Sequence, residues 1–283
     1  MDGFTSDDGT TLSVVRWGQG PPVVVVPGGP GRDAAYLEGL GGLAGAAERS
    51  VVVLEPRGTG GSPGSSDPAA YSVARTAADV EALRRHLGIG QMELLAHSAG
   101  CEVALTYTAL HPERVRRLLL VTPSTRSLGI EESEESFEDR IRRRRAEPWF
   151  ETARAALEET QTMGASTERR LAMSPFLYGR WDEAAAAHAA TDASQRHPDV
   201  GGAFWSSLPD PASTHAALSA FTGAVRILIG DLDLAPGPEV AAKVAAICAD
   251  VAVATQSGAA HFPWVDDAAA FSRTMATFLT GPP

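Results

Sequence analysis

The sequence predicts an α/β fold, a mostly parallel central sheet flanked by helices and interrupted by an inserted helical lid. Three observations carry this reading. Short β-branched runs bounded by Gly and Pro alternate with segments of helical periodicity up to about residue 123. From about 124 to 213 the strand pattern vanishes and only helical patterns remain. After about 222 the alternation resumes. Uninterrupted apolar runs between turn residues read as strands buried on both faces, the habit of parallel sheets, and their alternation with helices implies right-handed crossovers.

Taken in order, residues 11–17 alternate apolar and polar side chains and suit an edge strand of a hairpin, while 23–26 and 51–54 are continuously apolar strands. Residues 72–87 carry apolar side chains at Val73, Ala77, Val80, Leu83 and Leu87 and stop at Gly88, which marks a helix. A strand over 92–96, a helix over 100–111 and a strand over 115–121 complete the first half. In the second, strands over 225–229 and 251–255 alternate with helices over 238–248 and 266–279. The expected organisation is a core of residues 1–123 and 214–283 with a cap of residues 124–213. Within the cap, the acidic run from Glu131 to Asp139 followed by Arg142 to Arg145 reads as a solvated helix with opposed charges at i,i+4 spacing.

Composition narrows the function classes. The 283 residues are 44% hydrophobic and 21% charged, enough apolar material for one large core and too much for a disordered chain. Thirty-five acidic against 24 basic side chains give a net charge of −11, the wrong sign for a protein that grips nucleic-acid phosphates. Cys101 and Cys248 stand far apart and form no zinc-type spacing, so neither a disulfide framework nor a metal is expected, and no cofactor is implied. Cys101 reads as a small buried filler. The first residues lack a basic start and an apolar run, and no stretch reaches the length of a membrane span. The expectation is a cytoplasmic protein without membrane partners.

The sharpest local feature is Ala96-His97-Ser98-Ala99-Gly100, placed between a strand and a helix. A serine on a tight strand-to-helix turn needs small neighbours, and Ala96, Ala99 and Gly100 provide them; the pattern is a nucleophile elbow with Ala in its first position. A serine hydroxyl is a weak nucleophile, so it requires a base and an acid that orients the base. Those groups are expected on loops after later strands, in the order Ser, Asp, His. Asp231 and Asp233 follow the strand over 225–229, and His261 follows the last strand. Both loops lie at the carboxyl edge of the sheet, where ligands bind in open α/β sheets. Asp233 is preferred because reaching the histidine loop takes a few residues beyond the strand end, and Asp231 remains open as the alternative. His86, His111 and His188 sit inside helical patterns and read as packed or solvated. His97 adjoins Ser98 on the wrong side of the turn to act with it, so it shapes the pocket wall or bonds locally. Oxyanion donors are expected at the N–H of Ala99 and in Gly28-Gly29-Pro30-Gly31, with Gly29 first and Gly28 as fallback; Pro30 has no N–H to offer.

These residues resemble the α/β-hydrolase fold, and within it the proline iminopeptidase-like branch. The likeness rests on Gly28-Gly29-Pro30-Gly31, on Glu55-Pro56-Arg57-Gly58-Thr59-Gly60-Gly61-Ser62, on the elbow at Ser98, and on the late Gly230-Asp231-Leu232-Asp233 and Gly258-Ala259-Ala260-His261 blocks. It implies a cap between the two halves of the sheet and an arginine, matching Arg57, that buttresses the oxyanion loop. Two positions depart from the family pattern: Glu55 replaces an aspartate, and Pro27 replaces the histidine that supports the oxyanion loop from behind. Iminopeptidases hold the substrate's terminal amine with cap glutamates, which makes Glu151 beside Trp149 and Glu183 beside Trp181 the substrate-binding candidates, together with Gly28 and His97. An ammonium and a prolyl ring suit a carboxylate next to an aromatic ring. The resemblance thus implies a serine hydrolase acting on a short peptide or small molecule, an aminopeptidase first. An esterase, lactonase or small-acyl hydrolase is the alternative, and a non-catalytic binder on the same fold is a reading of another class.

Overall fold

A computed structural model describes residues 2–234 and 236–281. Its centre is an eight-stranded sheet: β1 (Asp2–Thr5), β2 (Thr11–Trp17), β3 (Pro22–Val26), β4 (Ser50–Leu54), β5 (Met92–His97), β6 (Val115–Val121), β7 (Ala224–Gly230) and β8 (Val251–Gln256). The spatial order is β1-β2-β4-β3-β5-β6-β7-β8, with β2 antiparallel to β1 and β4 and every later pairing parallel. The strand expected at 11–17 is therefore next to the edge, and the edge is β1, which sequence patterning does not reveal. Of its four residues only Phe4 is buried, so no alternation announces it.

The valine runs behave as doubly buried strands. Val24, Val26, Val52 and Leu54 face one layer, formed with the helices Val73–His86, Gly100–Leu110 and Pro238–Ala245. Val23, Val25, Val51 and Val53 face the other, formed with residues Tyr36 to Leu43 and the helix Ala268–Thr280. Each such side chain contributes about 1.5–3 kcal/mol on leaving water, which is why a run of four needs helices on both sides. The elbow adds a tighter demand. A Cβ at Gly100 would lie 2.5 Å from both the Val26 and Pro27 carbonyl oxygens, so only glycine lets this helix rest against the end of β3.

Between β6 and β7 the described residues add no strand to the sheet and form helices, including Glu134–Arg143, Phe150–Met163, Thr167–Met173, Glu183–Ala190 and Val200–Ser206. The helix Pro211–Ala220 runs through position 213 and packs on Gly100–Leu110, so the boundary expected there falls inside one helix that rests on the core. In the acidic-basic stretch, Asp139 pairs with Arg142 and Arg143 on the surface as expected, but Arg140 turns inward to Glu132. No helix among the described residues is long and apolar enough to cross a membrane.

One carboxylate joins the helical insertion to the sheet edge. Asp266 accepts the N–H of Gly179, from the insertion, and of Ala260, each at 2.8 Å. Burial raises its carboxyl to about 6, outweighing the two N–H donors and the more distant Arg144. Because the folded group binds its proton more tightly than an unfolded aspartate, it adds stability below about pH 4, and that contribution fades as pH rises through about 6. The wild-type advantage over Asp266→Asn in urea denaturation should therefore shrink by about 2–3 kcal/mol between pH 4 and pH 7. An advantage that is constant or grows with pH contradicts this. Gly100→Ala, through its clash with two backbone carbonyls, should cost about 1–3 kcal/mol or more in the same measurement; a loss below about 0.5 kcal/mol would mean that the elbow has room to spare.

Candidate active site

Ser98 follows β5 directly and adopts φ +53°, a left-handed conformation that costs a non-glycine residue on the order of 1–3 kcal/mol and is held only where its surroundings dictate it. The dictating contacts are backbone ones. Ser98 N–H donates to Val121 C=O at 3.0 Å, and Ser98 C=O accepts from Cys101 and Ser124 at 3.0 and 3.1 Å. One turn into the helix, the buried Glu102 accepts from Ser124 Oγ and from the N–H groups of Arg126 and Ser127, fixing the chain where it leaves β6. Cys101 is buried and its thiol donates to Ala96 C=O, in keeping with a filler.

Three side chains from three strand ends meet here. His261 Nε2 lies 2.9 Å from Ser98 Oγ, and its Nδ1 lies 3.0 and 3.2 Å from the two oxygens of Asp233, which is fully buried. Asp231 is turned elsewhere: it accepts the N–H of Gly258 at 2.7 Å and Ser257 Oγ at 3.3 Å, closing the turn that delivers His261. The choice between the two aspartates thus resolves by direction, one facing the imidazole and the other bracing its loop.

His97 is almost fully buried and bonds on both ring nitrogens. Nε2 lies 2.9 Å from His261 C=O, so it carries the proton, and Nδ1 accepts from Tyr36 Oη at 2.7 Å. Burial, with the neighbouring His261 second, holds His97 well below the ordinary histidine range, so it is neutral. Thr122 Oγ1 donates to the same His261 carbonyl at 3.2 Å, and His261 N–H donates to Leu177 C=O in the insertion at 3.0 Å. The His261 loop is therefore gripped from the sheet and from the insertion together.

The Gly28–Gly31 loop, where the sequence placed candidate oxyanion donors, is organised chiefly by Tyr36 and Arg196, which sequence reasoning did not single out. Tyr36 Oη accepts Gly28 N–H at 2.7 Å, which removes Gly28 as the fallback donor. Gly28 instead serves by its lack of a side chain, since a Cβ there would stand 2.7 Å from His97 C=O and 2.9 Å from Ser98 Cβ. Among the described residues, neither Gly29 N–H nor Ala99 N–H has an acceptor of its own. Ala99 opens the helix Gly100–Leu110, where N–H groups lack intrahelical partners. The insertion clasps the loop from outside: Arg32 and Arg196 form a β-bridge, and Arg196 Nη1 donates to Gly29 C=O at 2.6 Å and Pro30 C=O at 3.1 Å. Tyr36, bonded in turn to His97, and Arg196 thus hold the Gly28–Gly31 loop from its two sides. Arg57 does not buttress this loop by hydrogen bonds; its guanidinium goes to Asp79, Asp8 and Thr10, tying the β1–β2 turn to the helix Val73–His86. Glu55, standing for the usual aspartate, accepts Gly61 N–H at 2.7 Å and so closes its own turn.

Ser98 and His261 stand between two cavities. One, of about 200 Å³, is lined by Gly29, Arg32, Tyr36, Tyr178, Phe262 and insertion residues that include Arg170 and Arg196. The other, of about 500 Å³, is lined among others by Arg126, Glu132, Phe137, Trp205 and Leu234. The four cap candidates line neither. Glu151 and Glu183 are solvent-exposed, Trp149 packs edge-on to Phe176 beneath Arg144, and Trp181 packs on Tyr178. Each glutamate lies in the first turn of its helix, where a carboxylate faces water and complements the exposed N–H groups. Among the described residues no group of three or more His, Cys, Asp or Glu side chains is disposed to hold a metal ion.

A family model described as the alpha/beta hydrolase fold matches residues 21–268. Among curated relatives, the proline iminopeptidase of Lactobacillus helveticus is 36% identical over 115 residues, covering 40% of this chain and 39% of that protein. The proline iminopeptidase of Heyndrickxia coagulans is 29% identical over 125 residues, 43% of each chain. The chain thus matches about two fifths of the length of these relatives. Among solved structures, an esterase from Exiguobacterium antarcticum superposes with a TM-score of 0.75 over 99% of both chains at 17% identity. An esterase from Thermogutta terrifontis does so with a TM-score of 0.73 over 98% of this chain and 97% of its own, at 21% identity. With a sheet of this order, an elbow after β5 and a family match across most of its length, the chain belongs to the α/β-hydrolase fold family.

Proposed function

We propose that the protein is a serine hydrolase that cleaves an ester or amide through an acyl-enzyme. The observation that carries this reading is the continuous hydrogen-bonded line from Asp233 through His261 to Ser98 Oγ, beside two backbone N–H groups without internal acceptors. His261 Nε2 takes the Ser98 proton as Oγ attacks the carbonyl carbon, and the resulting oxyanion accepts from Gly29 and Ala99 N–H. Such donors, fixed before the reaction, are worth about 3–4 kcal/mol each in the transition state. His261 then passes the proton to the leaving oxygen or nitrogen as the C–O or C–N bond breaks. Water, deprotonated by the same imidazole, attacks the acyl-enzyme and returns Ser98. Asp233 keeps Nδ1 protonated and compensates the imidazolium. The neutral His97, with ring centroids 4.9 Å from His261, adds no second positive charge against it.

For the substrate class, the interior of the smaller cavity favours an ester or amide without a free terminal amine. Among the described residues its lining holds a single carboxylate, Asp192, already engaged by arginines, so an ammonium meets no unpaired acid there. The iminopeptidase relatives favour the second reading, release of an N-terminal residue. Parallel assays of 4-nitrophenyl acetate and proline 4-nitroanilide separate them: turnover of the ester with none of the anilide supports the first, and efficient anilide cleavage establishes the second.

The hydrolase reading itself makes sharper demands. Ser98→Ala should lower kcat by about 10⁴-fold or more and abolish labelling by a fluorophosphonate, and Asp233→Asn should lower kcat by about 10³–10⁴-fold. Asp231→Asn, which weakens only the loop brace, should cost under about tenfold. Activity untouched by Ser98→Ala would leave a binding protein on a hydrolase scaffold.

A further inference from the structure

The cavity beside Ser98 contains a charge arrangement that the hydrolase chemistry does not use. Arg32, Arg170 and Arg196 converge there on one carboxylate, Asp192, with N···O separations of 3.7, 3.2 and 2.5 Å. Burial works to raise the Asp192 carboxyl, yet the guanidinium of Arg196, with the other two behind it, holds it below the ordinary carboxylate range. Three permanent cations against one anion leave the enclosed wall with excess positive charge. Arg32 is the least compensated. It is 3% exposed, its Nε and Nη2 bond Gln195, Thr191 and His188, and its Nη1 makes only the long ion-pair contact to Asp192. Its guanidinium also lies over the Tyr36 ring, 4.5 Å from the centroid, which fixes its plane. Burying a cation without a full counter-charge is costly, and an incoming anion removes that cost.

We propose that this cluster receives a carboxylate of the substrate, so that the acyl group transferred to Ser98 carries a second, ionised carboxyl. The assignment rests on the serine-hydrolase reading and names its substrate class. The cluster already holds a carboxylate in the manner required: Arg196 grips Asp192 through two nitrogens, Nε at 3.1 Å and Nη2 at 2.5 Å. Planar forks of this kind match carboxylates in geometry as well as charge. The acyl side is assigned to this cavity because it is the narrower of the two. The acyl group stays bound while the leaving group departs, and the wider cavity of about 500 Å³ gives that group its route.

The test compares kcat/KM for the mono-4-nitrophenyl esters of glutaric, adipic and pimelic acids, each against the neutral ester whose distal carboxyl is replaced by methyl. At least one acidic ester should exceed its neutral partner by about tenfold or more at pH 7, the value of a charge-assisted hydrogen bond. Arg170→Gln is the informative variant, because Arg170 is on the insertion surface side of the cluster and bonds Asp192, Thr167 and Ala165 rather than the oxyanion loop. It should cut the acidic-to-neutral ratio by about tenfold, with Arg170→Lys falling between. Neutral esters hydrolysed as well as or better than acidic ones overturn the carboxylate assignment and leave the hydrolase standing. A preference that survives Arg170→Gln overturns the role of this cluster. Failure to hydrolyse any ester, acidic or neutral, removes the reading on which the assignment rests.

Discussion

The left-handed backbone at Ser98 is the constraint to which the rest of the site answers. A side chain at φ +53° is exposed at the tip of a turn only if nothing else occupies the space around that turn. Three chain segments crowd it: the oxyanion loop at Gly28, the strand end at His97, and the helix beginning at Gly100. Gly28 and Gly100 are glycines at which an added Cβ would first meet backbone carbonyl oxygens, at 2.7 and 2.5 Å, so the neighbours cannot yield. The parallel sheet supplies the platform. β3 and β5 pair directly, Val26 opposite Ala96, which places the oxyanion loop beside the elbow without any long-range adjustment.

The main chain of His261 is tethered on both its polar groups. His261 C=O accepts from His97 and Thr122, its N–H goes to Leu177, and the preceding Ala260 N–H goes to Asp266. These tethers fix where the His261 side chain begins, while Asp233 and the rings of His97 and Phe262 fix its orientation, so little freedom remains to be lost when it bonds Ser98. The same tethers explain why the helical insertion is part of the site. Leu177 holds the base loop and Arg196 holds Gly29, so both flanks of Ser98 depend on contacts from one inserted segment.

What could be read from the chain divides along the same physical line. The elbow, the glycine loop and the histidine after the last strand were legible because sterics and topology leave few residue types that fit there. β1 was not, since Asp2, Gly3 and Thr5 are exposed and one buried Phe4 cannot establish a period. Asp231 and Asp233 sit in one turn, and only the direction of each carboxylate, set by how β7 ends, separates the brace from the partner of His261. Trp149, Trp181, Glu151 and Glu183 were poor guides to the pocket because an aromatic beside a carboxylate suits a solvated helix start as well as a binding wall, and Glu151 and Glu183 both stand in the exposed first turns of their helices. Tyr36 and the cluster at Arg32, Arg170 and Arg196 escaped for the opposite reason. Their significance lies wholly in tertiary convergence, and no spacing along the chain records it.

A net charge of −11 and a cationic pocket are compatible, because they act over different distances. Charges on the surface are screened beyond roughly 8–10 Å at physiological ionic strength, so overall charge governs solubility and the rate of encounter. Arg32 acts at contact range, where little water intervenes. Burial holds its pKa below the ordinary guanidinium value, and the attraction of Asp192 offsets only part of that. Asp192 cannot complete that compensation, because it is shared by three guanidiniums and its two oxygens are committed chiefly to Arg196. The arginine that secures the oxyanion loop to Gly29 is thus the same one that holds Asp192, and through it the other two cations. In the hydrolase proposed above, an anion bound at this wall acts on the same arginine that holds Gly29, which couples recognition of the acyl group to the geometry in which it reacts.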